Sequence, residues 1–103
     1  MNARVTEARH RWVSTEIKGL RKKFLLTQEN LARILEVAQQ RIDEWESGRK
    51  NMSLAYSKLL DQEEATLEAL MGQAKGVRAK YLRLVAQAYS VEITERHIKK
   101  VSK

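Results

Sequence analysis

Between Thr27 and Arg49 the chain reads TQENLARILEVAQQRIDEWESGR, and the spacing of its apolar residues leaves little choice of local fold. Leu31, Ala32 and Leu35 make one stripe at helical spacing, Val37 falls in the gap, and Ile42 and Trp45 make a second stripe three residues apart. Two short helices set across a tight turn satisfy that pattern. Ala32 offers a small side chain where the helices must cross closely. Gln39, Gln40, Asp43 and Glu44 project polar groups from the opposite face of the second helix.

Helical periodicity continues on both sides. A first helix from Ser14 or Thr15 to Phe24 places Val13, Ile17, Leu20 and Phe24 on one face. Nothing from Thr6 to Trp12 breaks a helix, so this one can also start earlier, with Trp12 reaching a partner or the C-terminal segment. Thr27 is the expected cap of a second helix ending near Leu35, Gln39–Glu46 is the third, and Ser47-Gly48 closes it. Ser53 caps a fourth helix through Leu60. Beyond Leu60 two patterns fit: Asp61 caps a new helix with Glu64 three residues later, or the fourth helix runs on to Ala74 with Leu67, Leu70, Met71 and Ala74 as its stripe. Gly72 and Gly76 bracket a break. Val77 to Tyr89 follows, with Val77, Tyr81, Leu84, Val85 and Ala88 on one side, and Thr94 caps a last short helix carrying Ile98 and Val101.

The 103 residues contain no proline and no cysteine, few aromatics, and no alternating β-branched runs. An all-α chain follows, with neither disulfides nor a thiolate metal site. One modest core fits that length. No apolar run is long enough to span a membrane and the N-terminus lacks the apolar core of a signal peptide, so a cytoplasmic location is expected. His10 and His97 stand alone, and no Ser-His-Asp, paired-carboxylate or glycine-rich phosphate constellation occurs. We therefore expect no metal, no cofactor and no catalysis.

Residues 14 to 60 resemble the helix-turn-helix family of phage Cro and cI repressors and the Xre-type regulators. The match rests on Ile17, Leu20 and Arg21, then Leu26, Thr27, Gln28 and Glu29, the small Ala32, and finally Ile42, Trp45, Glu46, Gly48 and Arg49. It implies a Cro/cI-like helix-turn-helix bundle, here with a C-terminal amphipathic helical extension. Three positions depart from the family. Glu36 stands where Gly usually adopts positive φ, at a cost of about 1 kcal/mol for another residue. Ala38 replaces the Ser or Thr that caps the recognition helix, a loss of roughly 1 kcal/mol. Arg41 replaces a small hydroxyl residue.

The resemblance implies a sequence-specific DNA-binding transcriptional regulator that contacts double-stranded DNA, most naturally a homodimeric repressor on an inverted-repeat operator. Gln39 and Gln40 open the helix that enters the major groove, where glutamine presents a donor and an acceptor matched to adenine N6 and N7. Glu44, one turn from Gln40, either accepts from cytosine N4 or pairs with Arg41, and Asp43 is a solvated flank. Gln28 is expected on a phosphate at its helix N-terminus, joined by Arg41, Arg49, Lys22, Lys23, Lys50 and Asn51. The family's Arg and Glu at Arg21 and Glu46 form a structural ion pair, and Trp45 is core.

Charge fits this reading. The chain carries +7, from 20 basic and 13 acidic residues. Residues 1–24 hold seven basic against two acidic, 25–60 balance, 61–75 are acidic, and 76–103 hold seven basic against two acidic. Basic ends around a neutral middle favour a polyanion. The expected organisation is a basic extension over 1–13, the DNA-reading domain over 14–60, and a helical extension over 61–103. Leu67, Leu70, Met71, Val77, Tyr81, Leu84 and Val85 in that extension are assigned to dimerisation; the competing reading is that both helices complete the monomer core. A rival function is an antitoxin-type interaction module, whose extension neutralises a toxin while the helix-turn-helix represses its own operon.

Overall fold

The computed structural model describes residues 11–90, and in that range it contains helices and turns only. They are α1 (Ser14–Lys23), α2 (Gln28–Leu35), α3 (Gln39–Ser47), α4 (Leu54–Ala74) and α5 (Arg78–Tyr89). The all-α expectation holds. His10, Thr94, His97, Ile98 and Val101 lie outside the described residues.

Local chemistry sets the helix ends. Thr27 Oγ1 accepts the Asn30 N–H at 3.0 Å to start α2, and Ser53 Oγ accepts the Tyr56 N–H at 3.1 Å to start α4. Glu36 ends α2 in the left-handed region at φ 58°, where its N–H donates to the Arg33 carbonyl and that of Val37 to the Ala32 carbonyl. Leu25 and Lys75 terminate α1 and α4 in the same conformation. Ala38 begins α3 with no side-chain cap.

Helix α4 crosses position 60 without a break, so the second of the two patterns is the one adopted. Asp61 caps nothing there; its carboxylate accepts the Trp12 indole N–H at 2.8 Å. The Trp12 backbone N–H donates to buried Ser57 Oγ at 2.9 Å, so the residues before α1 are strapped across α4. Residues 11–13 are not helical, and a helix running unbroken from Thr6 is not formed. Val13, expected on the buried face, is 53% exposed: it precedes the first turn, and its N–H is held by the Glu16 carboxylate at 3.0 Å.

A single core runs through all five helices. Ile17, Leu20, Phe24, Leu26, Leu31, Leu35, Ile42, Trp45, Met52 and Leu60 are joined in it by Leu67, Ala74, Tyr81, Leu82 and Val85. The residues assigned to dimerisation differ in their burial within one chain. Leu67, Tyr81 and Val85 are buried within one chain, Leu70, Met71 and Leu84 are partly buried against the same core, and Val77 is exposed at the start of α5. The physical reason is a buried link: the Tyr81 hydroxyl donates to the Phe24 carbonyl at 2.7 Å and draws α5 onto the end of α1. Ala88 is exposed, and Leu82 takes the buried place that the expected stripe left out.

Candidate nucleic-acid interface

Glu46 organises the polar side of the fold. Its carboxylate, with 3% of the side chain exposed, accepts from Arg21 Nε at 2.7 Å, from Arg21 Nη2 at 3.0 Å and from Gln28 Nε2 at 3.2 Å. Arg21 also donates to the Leu26 carbonyl at 3.2 Å. A bidentate guanidinium–carboxylate pair thus ties α1 to the end of α3 and passes its geometry on to Gln28.

Gln28 sits at the start of α2, half-buried, and its Oε1 accepts from Gln39 Nε2 at 3.4 Å. The two glutamines bridge the N-termini of α2 and α3. Sequence reasoning placed both near DNA but missed this link and the Gln28–Glu46 bond, because side chains eleven and eighteen residues apart leave no periodic signal. At the start of α3 no acidic residue occupies the first turn and no side chain caps it. Its free N–H groups therefore add partial positive charge beside the glutamine bridge.

On α3, Ile42, Trp45 and Glu46 face inward while Gln39, Gln40, Arg41 and Asp43 are exposed. At about 100° per residue, Gln40, Glu44 and Ser47 share one outward ridge. Glu44 does not pair with Arg41. Its carboxylate lies 3.9 Å from Lys50 Nζ, whereas the Arg41 guanidinium lies over the Trp45 ring, 5.9 Å from its centre. Trp45 itself is buried and meets Tyr56 at a ring separation of 5.2 Å. Ser47, absent from the expected site, bonds the Glu44 carbonyl and receives the Arg49 N–H, closing α3 with Gly48 at φ 82°.

The expected phosphate contacts divide by surroundings. Lys22 and Asn51 are exposed. Arg49 is exposed but paired with Asp43 at 2.8 Å. Lys23 leans the other way, onto Glu68 of α4 at 2.8 Å and over the Phe24 ring. That hydrogen bond, reinforced by the Glu68 charge, raises the Lys23 pKa above its ordinary value. Among the described residues, no three His, Cys, Asp or Glu side chains are arranged to hold a metal ion, and no helix is long and apolar enough to cross a membrane.

Two short helices across a left-handed turn, backed by a partly buried Arg–Glu pair, make a helix-turn-helix unit. Residues 17–62 match the model of the helix-turn-helix family, of the Xre and Cro/cI type. That match supports a DNA-binding transcription regulator. No curated protein and no solved structure matches the chain.

Proposed function

We propose that this regulator is a sequence-specific repressor that binds an inverted-repeat operator as a homodimer in the cytoplasm, with α3 as its reading helix. The observation that carries this reading is the Gln28–Gln39 bridge anchored on Glu46. It fixes polar side chains at the paired mouths of α2 and α3 and leaves Gln40 exposed one residue further on. Gln39 and Gln40 read base edges in the major groove, with Glu44 beside them. Gln28 and the open α3 N-terminus meet phosphates, and Lys22, Arg41, Arg49, Lys50 and Asn51 extend that contact. Lys23 contributes only by leaving Glu68. A second subunit would be met through Leu70, Met71, Val77 and Leu84, the apolar residues of α4 and α5 that the monomer leaves partly or wholly uncovered.

Selection of bound sequences from a randomised duplex pool tests the proposal. The expected product is a short inverted repeat whose half-site centres lie about one helical turn, roughly 34 Å, apart. Equal retention of every sequence would refute it.

A further inference from the structure

We propose that α5 carries a second, sequence-independent phosphate-binding surface, made by Lys75, Lys80 and Arg83, which grips the DNA backbone beside the half-site read by α3. The inference rests on the DNA-binding reading above and extends it to residues outside the helix-turn-helix.

Its first support is uncompensated charge. Between Glu68 and Glu92 the chain has no acidic residue, while Lys75, Lys80 and Arg83 are all exposed. Earlier in the chain four exposed cations have a carboxylate within reach: Lys23 has Glu68, Arg33 has Glu29, Arg49 has Asp43 and Lys50 has Glu44. Lys75, Lys80 and Arg83 have no carboxylate partner among the described residues. Concentrating like charge on one element works against the folded state unless a polyanion is there to receive it.

Geometry gives the charge a direction. Tyr81, Leu82 and Val85 turn inward, so Lys80 and Arg83, three residues apart, lie together on the outer face of α5 with exposed Gln87 completing the ridge. The first turn of α5 contains no acidic residue and Val77 supplies no side-chain cap, so the helix end adds to the positive potential. The Tyr81–Phe24 hydrogen bond fixes this end of α5 against the α1–α2 junction, and Val77 and Arg78 line a groove of about 220 Å³ with Leu25. From Phe24 to Thr27, the cap of α2, the chain spans at most about 10 Å. A DNA strand advances about 3.4 Å along its axis per nucleotide. A strand held at the α2 N-terminus therefore comes within reach of α5 a few nucleotides further on.

The test is salt-dependent binding of the full chain to a mixed-sequence duplex of about 40 base pairs, followed by fluorescence anisotropy. Lys75→Ala/Lys80→Ala/Arg83→Ala should flatten the log–log salt dependence by about 1 per lost contact, up to about 3. It should also lower affinity at least tenfold at about 0.1 M salt, without altering the sequence selected from a randomised pool. Lys75→Arg/Lys80→Arg/Arg83→Lys keeps the charge and should bind like the wild type. If the Ala variant loses helicity, Lys75→Gln/Lys80→Gln/Arg83→Gln replaces it in the comparison. Wild-type binding with an unchanged slope and affinity in a folded neutral variant would overturn this inference alone, and would turn attention to an acidic protein as the partner of α5. Failure of the wild type to bind any duplex would overturn the DNA-binding reading and this surface together.

Discussion

Replacing Glu46 with Ala removes the acceptor of three hydrogen bonds at once and leaves the Arg21 guanidinium with the Leu26 carbonyl as its remaining partner. Breaking one side of a buried ion pair costs about 3–5 kcal/mol, because the surviving charge stays desolvated. Arg21 keeps 17% of its side chain exposed against 3% for Glu46, so water recovers part of that cost and the low end, about 3 kcal/mol, applies. In urea, with a slope of about 1.5 kcal/mol per molar, the unfolding midpoint should fall by about 2 M. The informative control is Arg21→Met/Glu46→Leu, which removes both charges and keeps the volume. It should return to within about 1 kcal/mol of the wild type, since an apolar replacement of a buried pair is often neutral. A loss below about 1 kcal/mol for Glu46→Ala, or a double variant no more stable than the single, would refute the claim that this pair is a buried tie between α1 and α3.

Glu36→Gly should stabilise the protein by up to about 1 kcal/mol, seen as a Tm rise of a few degrees, because Glu36 holds φ 58° at the α2–α3 turn; a fall in Tm would contradict the strain argument. Truncation after Leu60 should leave an unfolded fragment by circular dichroism, since it removes Leu67, Ala74, Tyr81, Leu82 and Val85 from the common core. The larger of these are worth about 1.5–3 kcal/mol each against a typical total of 5–15; a folded, cooperative fragment would show that the helices beyond Leu60 are dispensable. Stability should decline as pH rises above about 10: burial raises the pKa of Tyr81 and, with the Glu63 hydrogen bond, that of Tyr89, so the unfolded chain loses those protons first. Lys23, also raised, acts in the same sense above its ordinary 10.5. Tyr81→Phe should reduce that alkaline slope while costing about 1–3 kcal/mol at neutral pH, because the buried Phe24 carbonyl loses its donor.

Local chemistry made the first half of the chain legible. Thr27 and Ser53 announce their helices by type and position, Gly48 closes α3, and the stripe that ends at Leu35 and resumes at Ile42 marks a turn whose left-handed residue, Glu36, the family resemblance implied. The second half was harder for a physical reason. Asp61 followed by Glu64 has the composition of a helix start, and only tertiary contact, the Trp12 indole on the Asp61 carboxylate, shows that the carboxylate serves another purpose inside a continuous helix. On α5 the expected stripe was rotated. Tyr81 and Val85 were placed inward, but Val77 and Ala88 are exposed and Leu82 is buried, because a helix packed at one end by Tyr81 onto Phe24 turns to bring 81, 82 and 85 together. In the candidate site, residue type pointed to Gln39 and Gln40, and the family resemblance to Gln28. The bridge that fixes two of them depends on distances no sequence spacing encodes.

The most direct test of α3 as the reading helix is base preference after Gln40→Ala, measured by selection from the same randomised pool and by titration of the best duplex. Gln40 is exposed and makes no contact that holds the fold together, so the variant should remain folded. A loss of roughly 1–3 kcal/mol on the wild-type operator is expected, with relaxed preference at one position per half-site and the rest of the sequence retained. An unchanged preferred sequence and affinity would contradict it, and would mean that α3 does not lie in the groove.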